Sequence, residues 1–209
     1  MELWDAYDRD GNLLGVDLVR GEPVPEGMYH IVSQVAVRHR NGRFLLMLRD
    51  PNKPIHPGEY ELSAGGSALK GEDALACARR ELYEETGIEA DDLRLLSVTV
   101  RDHGGCLFYM YCCETDCDPD SIRLQPGETV GYRWVEARTM KEMVDSGELI
   151  PFSLGRIQGW LDDEVDSGAK SFTFASGETT SSDLADGGVA ACSATYRGPT
   201  GPTSLKTVH

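Results

Sequence analysis

The sequence predicts a mixed α/β (α+β) domain built on antiparallel hairpins rather than on regular βαβ repeats. Three observations carry this. Asn41-Gly42 stands between the apolar runs IVSQVAVRH and RFLLMLR, and both residues tolerate the positive φ of a tight hairpin turn. Asp10-Gly11-Asn12 separates LWDAYD from LLGVDLV in the same way. A helical period enters only after these strands, in GSALKGEDALACARRELYEETGI, where Leu75, Ala78 and Leu82 fall at i, i+3 and i+7.

The other elements follow in order. GEPVPEG is a connection, and DPNKPIHPGEY, with three prolines, is a loop. YELSAG reads as one short strand leading into the helical segment. Gly71 precedes that helix, and Gly87 follows it as a residue able to adopt the left-handed conformation that ends helices. LRLLSVTV and CLFYMYCCE are strands joined by a turn near Gly104-Gly105, and TVGYRWV is another strand. Ala137 to about Ser146 and Ser153 to about Asp162 are helical, with Trp160 packing the second helix onto the sheet. Cys112 and Cys113 are neighbours on a strand and face opposite sides, so with Cys117 they are expected as inert thiols rather than zinc ligands. From Asp163 onward Gly, Ser, Thr and Ala dominate without a sustained period. The expected organisation is one domain over 1–162 and a disordered tail over 163–209, with SFTF as a short strand in it.

A net charge of −15 argues against a general nucleic-acid or membrane-surface binder, because both need basic patches. MELWDAYDRDGN has three acids in its first eight residues and does not read as a secretory signal. No apolar run reaches the ~18 residues that would suggest a membrane span. A cytoplasmic location and free thiols are expected.

The helical segment carries the chemistry. Glu81, Glu84 and Glu85 stand at i, i+3 and i+4, so one helix face carries three carboxylates. Like charges at that spacing destabilise a helix, and the helix C-terminus makes negative charge worse. A hard divalent cation such as Mg²⁺ or Mn²⁺ gives the arrangement a purpose, because it prefers carboxylate oxygens and keeps waters for substrate phosphates. Arg49 and Lys53, at a strand end and in the loop before this segment, can meet a substrate phosphate through charge-assisted hydrogen bonds.

The segment matches GX5EX7REUXEEXGU, with U an aliphatic residue, at Gly66, Glu72, Arg80, Glu81, Leu82, Glu84, Glu85, Gly87 and Ile88. It therefore resembles the Nudix box over 66–88, and the order of elements over residues 1 to about 160 resembles the Nudix hydrolase superfamily. The resemblance implies an α/β/α sandwich around a mixed sheet, with the box as a loop–helix–loop. It implies an Mg²⁺- or Mn²⁺-dependent pyrophosphatase acting on a nucleoside diphosphate linked to another moiety, or on a similar organic diphosphate. Carried over by position, Glu84 and Glu85 are metal ligands. Glu81 is a further ligand or the base that deprotonates water. Arg80 orients the glutamates, Glu72 braces the loop or joins the metal shell, and Gly66 lets its backbone approach the metal. Glu128, six residues before Trp134, stands where family members often carry a glutamate that serves as ligand or base. Such domains often dimerise.

The N-terminal half resembles the isopentenyl-diphosphate-isomerase-like branch, through WDAYDRDGNLLG, YHIVSQVAV and PNKPIHPGEYELSAGG. Those isomerases use a cysteine and a metal-binding histidine, whose positions align here with Gly65 and Ser67. Hydrolysis is therefore expected over isomerisation. His30 aligns with another metal-site histidine of that branch, and a loop-to-strand histidine with a structural role is the favoured reading. A non-catalytic ligand-binding module on the same fold is the other alternative, and the intact Arg80, Glu81, Glu84, Glu85 set argues against it.

Overall fold

The computed structural model describes residues 1–62 and 64–166. Most of the expected tail, with SFTF and Cys192, lies outside the described residues. β1 (Leu3–Tyr7) and β2 (Leu13–Val19) form a two-stranded antiparallel ribbon. Its turn is held by the Asp8 carboxylate, which accepts from the Asp10 and Asn12 amides at 2.9 Å each. The ribbon joins the rest of the fold through paired backbone bonds between Tyr7 and Tyr29, 2.8 and 2.9 Å.

Among the described residues, seven strands form one mixed sheet. β3 (His30–His39) and β4 (Phe44–Arg49) meet through the expected Asn41-Gly42 turn, where Gly42 has φ 86° and donates to the His39 carbonyl at 2.8 Å. The two strands pair at Arg38 and Phe44 and then diverge. Two short strands fill the wedge. β5 (Tyr60–Glu61) lies antiparallel along β4, and β6 (Ala64–Ser67) antiparallel along β3. YELSAG, expected as one strand, is thus split between the two arms. Gly65 makes the close approach of β6 to β3 possible, since a Cβ there would stand 2.4 Å from the Ser33 carbonyl oxygen. On the far side of β3 lies β8 (Cys106–Thr115), parallel to it, with β7 (Arg94–Arg101) antiparallel beyond. β9 (Thr129–Val135) covers the far side of β4.

Alternation along β3 sorts the core into two faces. Ile31, Val35 and Val37 pack with Ala78 and Leu82 of α1 (Ala74–Thr86). Ala36, on the other face, packs with Met140 of α2 (Ala137–Asp145) and Ile157 and Trp160 of α3 (Pro151–Asp166). The result is the helix–sheet–helix sandwich expected from the sequence. Trp160 meets Phe44 edge-on at 5.5 Å, and Cys112 and Cys113 lie in opposite core layers, as the strand period requires. Burying a side chain such as Leu82, 1% exposed, contributes roughly 1.5–3 kcal/mol. The backbone of α3 starts at Pro151, where a missing N–H costs no helical bond, and continues to Asp166, past the boundary at 162 placed on composition. No helix among the described residues is long and apolar enough to cross a membrane.

His30 begins β3 with its ring stacked on Trp4, centroids 4.1 Å apart, and Nε2 3.2 Å from the Cys106 sulfur. Burial pushes its pKa down to about 4. The unfolded chain takes up that proton near 6.5, so between these values the unfolded state holds more protons and stability falls as pH drops. The expected slope from this group is at most about 1.4 kcal/mol per pH unit between about pH 6.5 and 4. Urea unfolding of wild type and His30→Gln from pH 7 to 4.5 should show a stability difference that narrows as pH falls. A difference independent of pH would mean that His30 protonates freely in the folded protein.

Candidate active site

The site is built on α1. Asp73 caps its start, accepting from the Ala76 amide at 2.7 Å, and Gly87 ends it at φ 74° with its N–H on the Tyr83 carbonyl. Ser33 of β3 donates to the Ala74 carbonyl at 2.7 Å and fixes the helix against the sheet. Arg80 then organises the acids. It forms a fork on Glu72 (2.7 and 2.8 Å) and bonds Glu81 at 2.7 Å, Glu84 at 3.1 Å and the Ser67 carbonyl at 3.2 Å. Hydrogen bonds from Arg80 hold the Glu72 carboxyl below its usual range, and Glu72 in turn raises the affinity of Arg80 for its proton. Glu72 also accepts from the Leu69 amide at 2.9 Å, so it ties the loop before the helix to the helix itself.

The box acids have different surroundings. Glu84 lies at the rim, with its side chain 41% exposed. Glu81 turns inward under Gly66, where a Cβ would stand 2.3 Å from its Oε1. Burial raises the Glu81 carboxyl, and the Arg80 bond offsets this. Glu85 is 5% exposed and accepts one hydrogen bond, from the Gly65 amide at 3.3 Å. It has no cation partner among the described residues. Burial, and then the charges of Glu61, Glu81 and Glu128, push its pKa well above the carboxylate range. The strand wedge therefore gathers acids from three elements around Glu85.

Glu61 is a member of this group that the sequence reading missed. It sits on β5, and burial raises its carboxyl against the pull of Arg49. The available signal was an acid placed between Tyr60 and Leu62, both buried, just before the box. Arg49 bonds Glu61 at 2.8 Å and the Ile55 carbonyl at 3.1 and 3.2 Å. Three of its five N–H donors are thus engaged by the protein. Lys53 forms an ion pair with Glu128, which precedes β9. No three His, Cys, Asp or Glu side chains among the described residues stand close enough to enclose an ion.

Comparison with known proteins agrees with this architecture. The family model described as NUDIX domain matches residues 28–151. An uncharacterised Nudix hydrolase of Listeria monocytogenes is 32% identical over 153 residues, covering 73% of this chain and 90% of that protein. One from Pseudomonas aeruginosa is 29% identical, covering 77% and 94%. Among solved structures, a Deinococcus radiodurans protein shares the fold with a TM-score of 0.59 at 21% identity, covering 70% of this chain and 91% of that one. A MutT protein of Methanosarcina mazei gives 0.52 at 20% identity, covering 68% and 96%. The chain belongs to the Nudix family and is a hydrolase.

The contact of Gly66 with Glu81 allows a direct test. Gly66→Ala should leave the melting temperature within a few degrees of wild type, because only the end of one flexible side chain must move. It should lower hydrolysis at least about tenfold by displacing Glu81, consistent with the cost of small misplacements in a site. Unchanged turnover with an unchanged fold would remove Glu81 from the chemistry.

Proposed function

We propose that this hydrolase cleaves the P–O–P bridge of a nucleoside diphosphate linked to another moiety, or of a similar organic diphosphate, with Mg²⁺ or Mn²⁺. The observation that carries the reading is Glu85: a carboxylate 5% exposed, facing Glu61, Glu81 and Glu128, with no cation partner among the described residues. Such a charge is strongly unfavourable unless a proton or a metal ion compensates it. The donor set suits a hard cation, because it is made of carboxylate oxygens. Glu84, Glu85, Glu128 and Gly66 would hold the ion, and when bound it neutralises phosphate charge and makes a water more acidic.

The chain's own groups do the rest. Glu81 serves as base: Arg80 holds its Oε1, its Oε2 has no protein partner among the described residues, and burial raises its proton affinity towards the working range of a base. Arg80 and Glu72 keep Glu81 and Glu84 in place. Arg49 acts on the site by holding Glu61, and Lys53 supplies the positive charge for a phosphate. A small diphosphate is the partner in this reading, and the free thiols Cys77, Cys106, Cys112, Cys113 and Cys117 suit a cytoplasmic setting.

The isomerase reading is disfavoured by geometry. A cysteine in place of Gly65 would bring its Cβ to 2.4 Å from the Ser33 carbonyl oxygen and 2.8 Å from Cγ of Gln34. Backbone, not only a side chain, would have to move.

A panel of nucleoside triphosphates, nucleotide sugars, dinucleotides and non-nucleotide diphosphates with Mg²⁺ or Mn²⁺ should find turnover that stops in EDTA. Glu85→Gln should lower that turnover at least about 100-fold. In EDTA the same variant should melt no lower than wild type, because it removes a buried like charge. Turnover that survives chelation, or equals wild type in Glu85→Gln, would reject the reading.

A further inference from the structure

We propose that Lys53 is an exchangeable counter-ion. In the cation-free protein it neutralises Glu128, and it passes to the phosphate of the substrate when that carboxylate takes a divalent cation. The inference rests on the metal-dependent reading above and adds to it the role of one side chain.

Geometry separates Lys53 from the other cations around the acids. Arg80 is fixed by Glu72, Glu81, Glu84 and the Ser67 carbonyl, and Arg49 by Glu61 and the Ile55 carbonyl. Lys53 contacts the group through the carboxylate of Glu128. The side chains of that pair are 20% and 35% exposed. The charge of Glu128 is felt at Glu61, Glu81 and Glu85, so Lys53 compensates the side of the cluster that Arg80 does not reach.

The two backbones are fixed next to each other. The Asp50 amide donates to the Glu128 carbonyl at 2.9 Å, and the Lys53 amide to the Asp50 carbonyl at 3.0 Å. Asn52 tightens the turn, its backbone and side-chain nitrogens each 2.8 Å from Oδ1 of Asp50. The Glu128 amide bonds the Gln125 carbonyl at 3.1 Å. Exchange therefore needs no movement of the loop, only rotation of a four-carbon stem carrying a compact ammonium with three donors. An ammonium and a divalent cation compete for the same carboxylate, so Lys53 opposes cation binding at Glu128. Once displaced, the ammonium stays within a side chain's length of the acids, where the diphosphate must lie for hydrolysis. There it finds an anion that accepts charge-assisted hydrogen bonds. One residue thus limits charge repulsion in the cation-free protein and attracts the substrate in the loaded one.

The test is calorimetric. Lys53→Met should bind Mn²⁺ about three- to tenfold more tightly than wild type, the size expected for one charge at a partly screened site. In saturating Mg²⁺ it should bind the non-hydrolysable anion imidodiphosphate about tenfold more weakly. In a Glu128→Gln background, Lys53→Met should leave Mn²⁺ affinity unchanged. If wild type binds Mn²⁺ and Lys53→Met binds it equally or less tightly, the counter-ion role is wrong while the metal reading stands. The role also fails if the gain persists without Glu128. If wild type binds no Mn²⁺, the metal reading fails and takes this inference with it.

Discussion

Buried like charge is the constraint around which this structure is arranged. Glu85 is almost wholly out of water, and the charges of Glu61, Glu81 and Glu128 act on it. Placing one carboxylate in a low-dielectric interior is costly, and adding others at short range raises the cost further. The fold accepts this because β3 and β4 part beyond Phe44, leaving a wedge that helix α1 and two short strands line from different directions. Gly65 is needed for that approach, since a side chain there would strike the Ser33 carbonyl, and Gly66 leaves room for the carboxylate of Glu81. The local destabilisation is offset elsewhere, in the two apolar layers on either side of the sheet.

The compensating cations are not equivalent. Arg80 presents a planar fork whose bonds to Glu72, Glu81, Glu84 and the Ser67 carbonyl specify the position of each partner. Arg49 does the same for Glu61 and the Ile55 carbonyl. Both are suited to holding acids in place through a reaction. A lysine is a point charge on a flexible stem, and its one carboxylate contact defines less geometry. The arginines make a frame, and the lysine is the part of the charge balance that can change partner.

How much of this could be read from sequence depended on whether the information was local. The helix and its three-acid face follow from spacing alone, and so do the Asn41-Gly42 turn and the terminating Gly87, because the determining residues are within a few positions of one another. The sandwich was legible only through the family resemblance, while the strand alternation correctly sent Cys112 and Cys113 to opposite layers. The environment of each acid was not. Glu84 and Glu85 are adjacent and chemically identical, yet one is at the rim beside Arg80 and the other is enclosed. Glu61 joins the group through the splitting of YELSAG, which depends on the register of β5 against β4 and of β6 against β3. No local pattern encodes that register. The charge of Arg49 was visible in the sequence, but its bonds to Glu61 and the Ile55 carbonyl were not.

The acidic surface and the acidic site pose a single electrostatic problem. With a net charge of −15, the long-range field of the protein repels a diphosphate, so attraction must arise at close range. Within a Debye length the balance depends on a few groups. Arg80 is already spent on Glu72, Glu81 and Glu84, and Arg49 on Glu61. In the proposed reading, an anionic substrate would be met by a bound cation together with the protein cation which that ion sets free. Under that reading loading would be ordered, since an anion arriving first would meet carboxylates, whereas one arriving after the cation would meet a neutralised cluster and a released ammonium. The same residues that would make the empty pocket repel its substrate thus make the loaded one attract it.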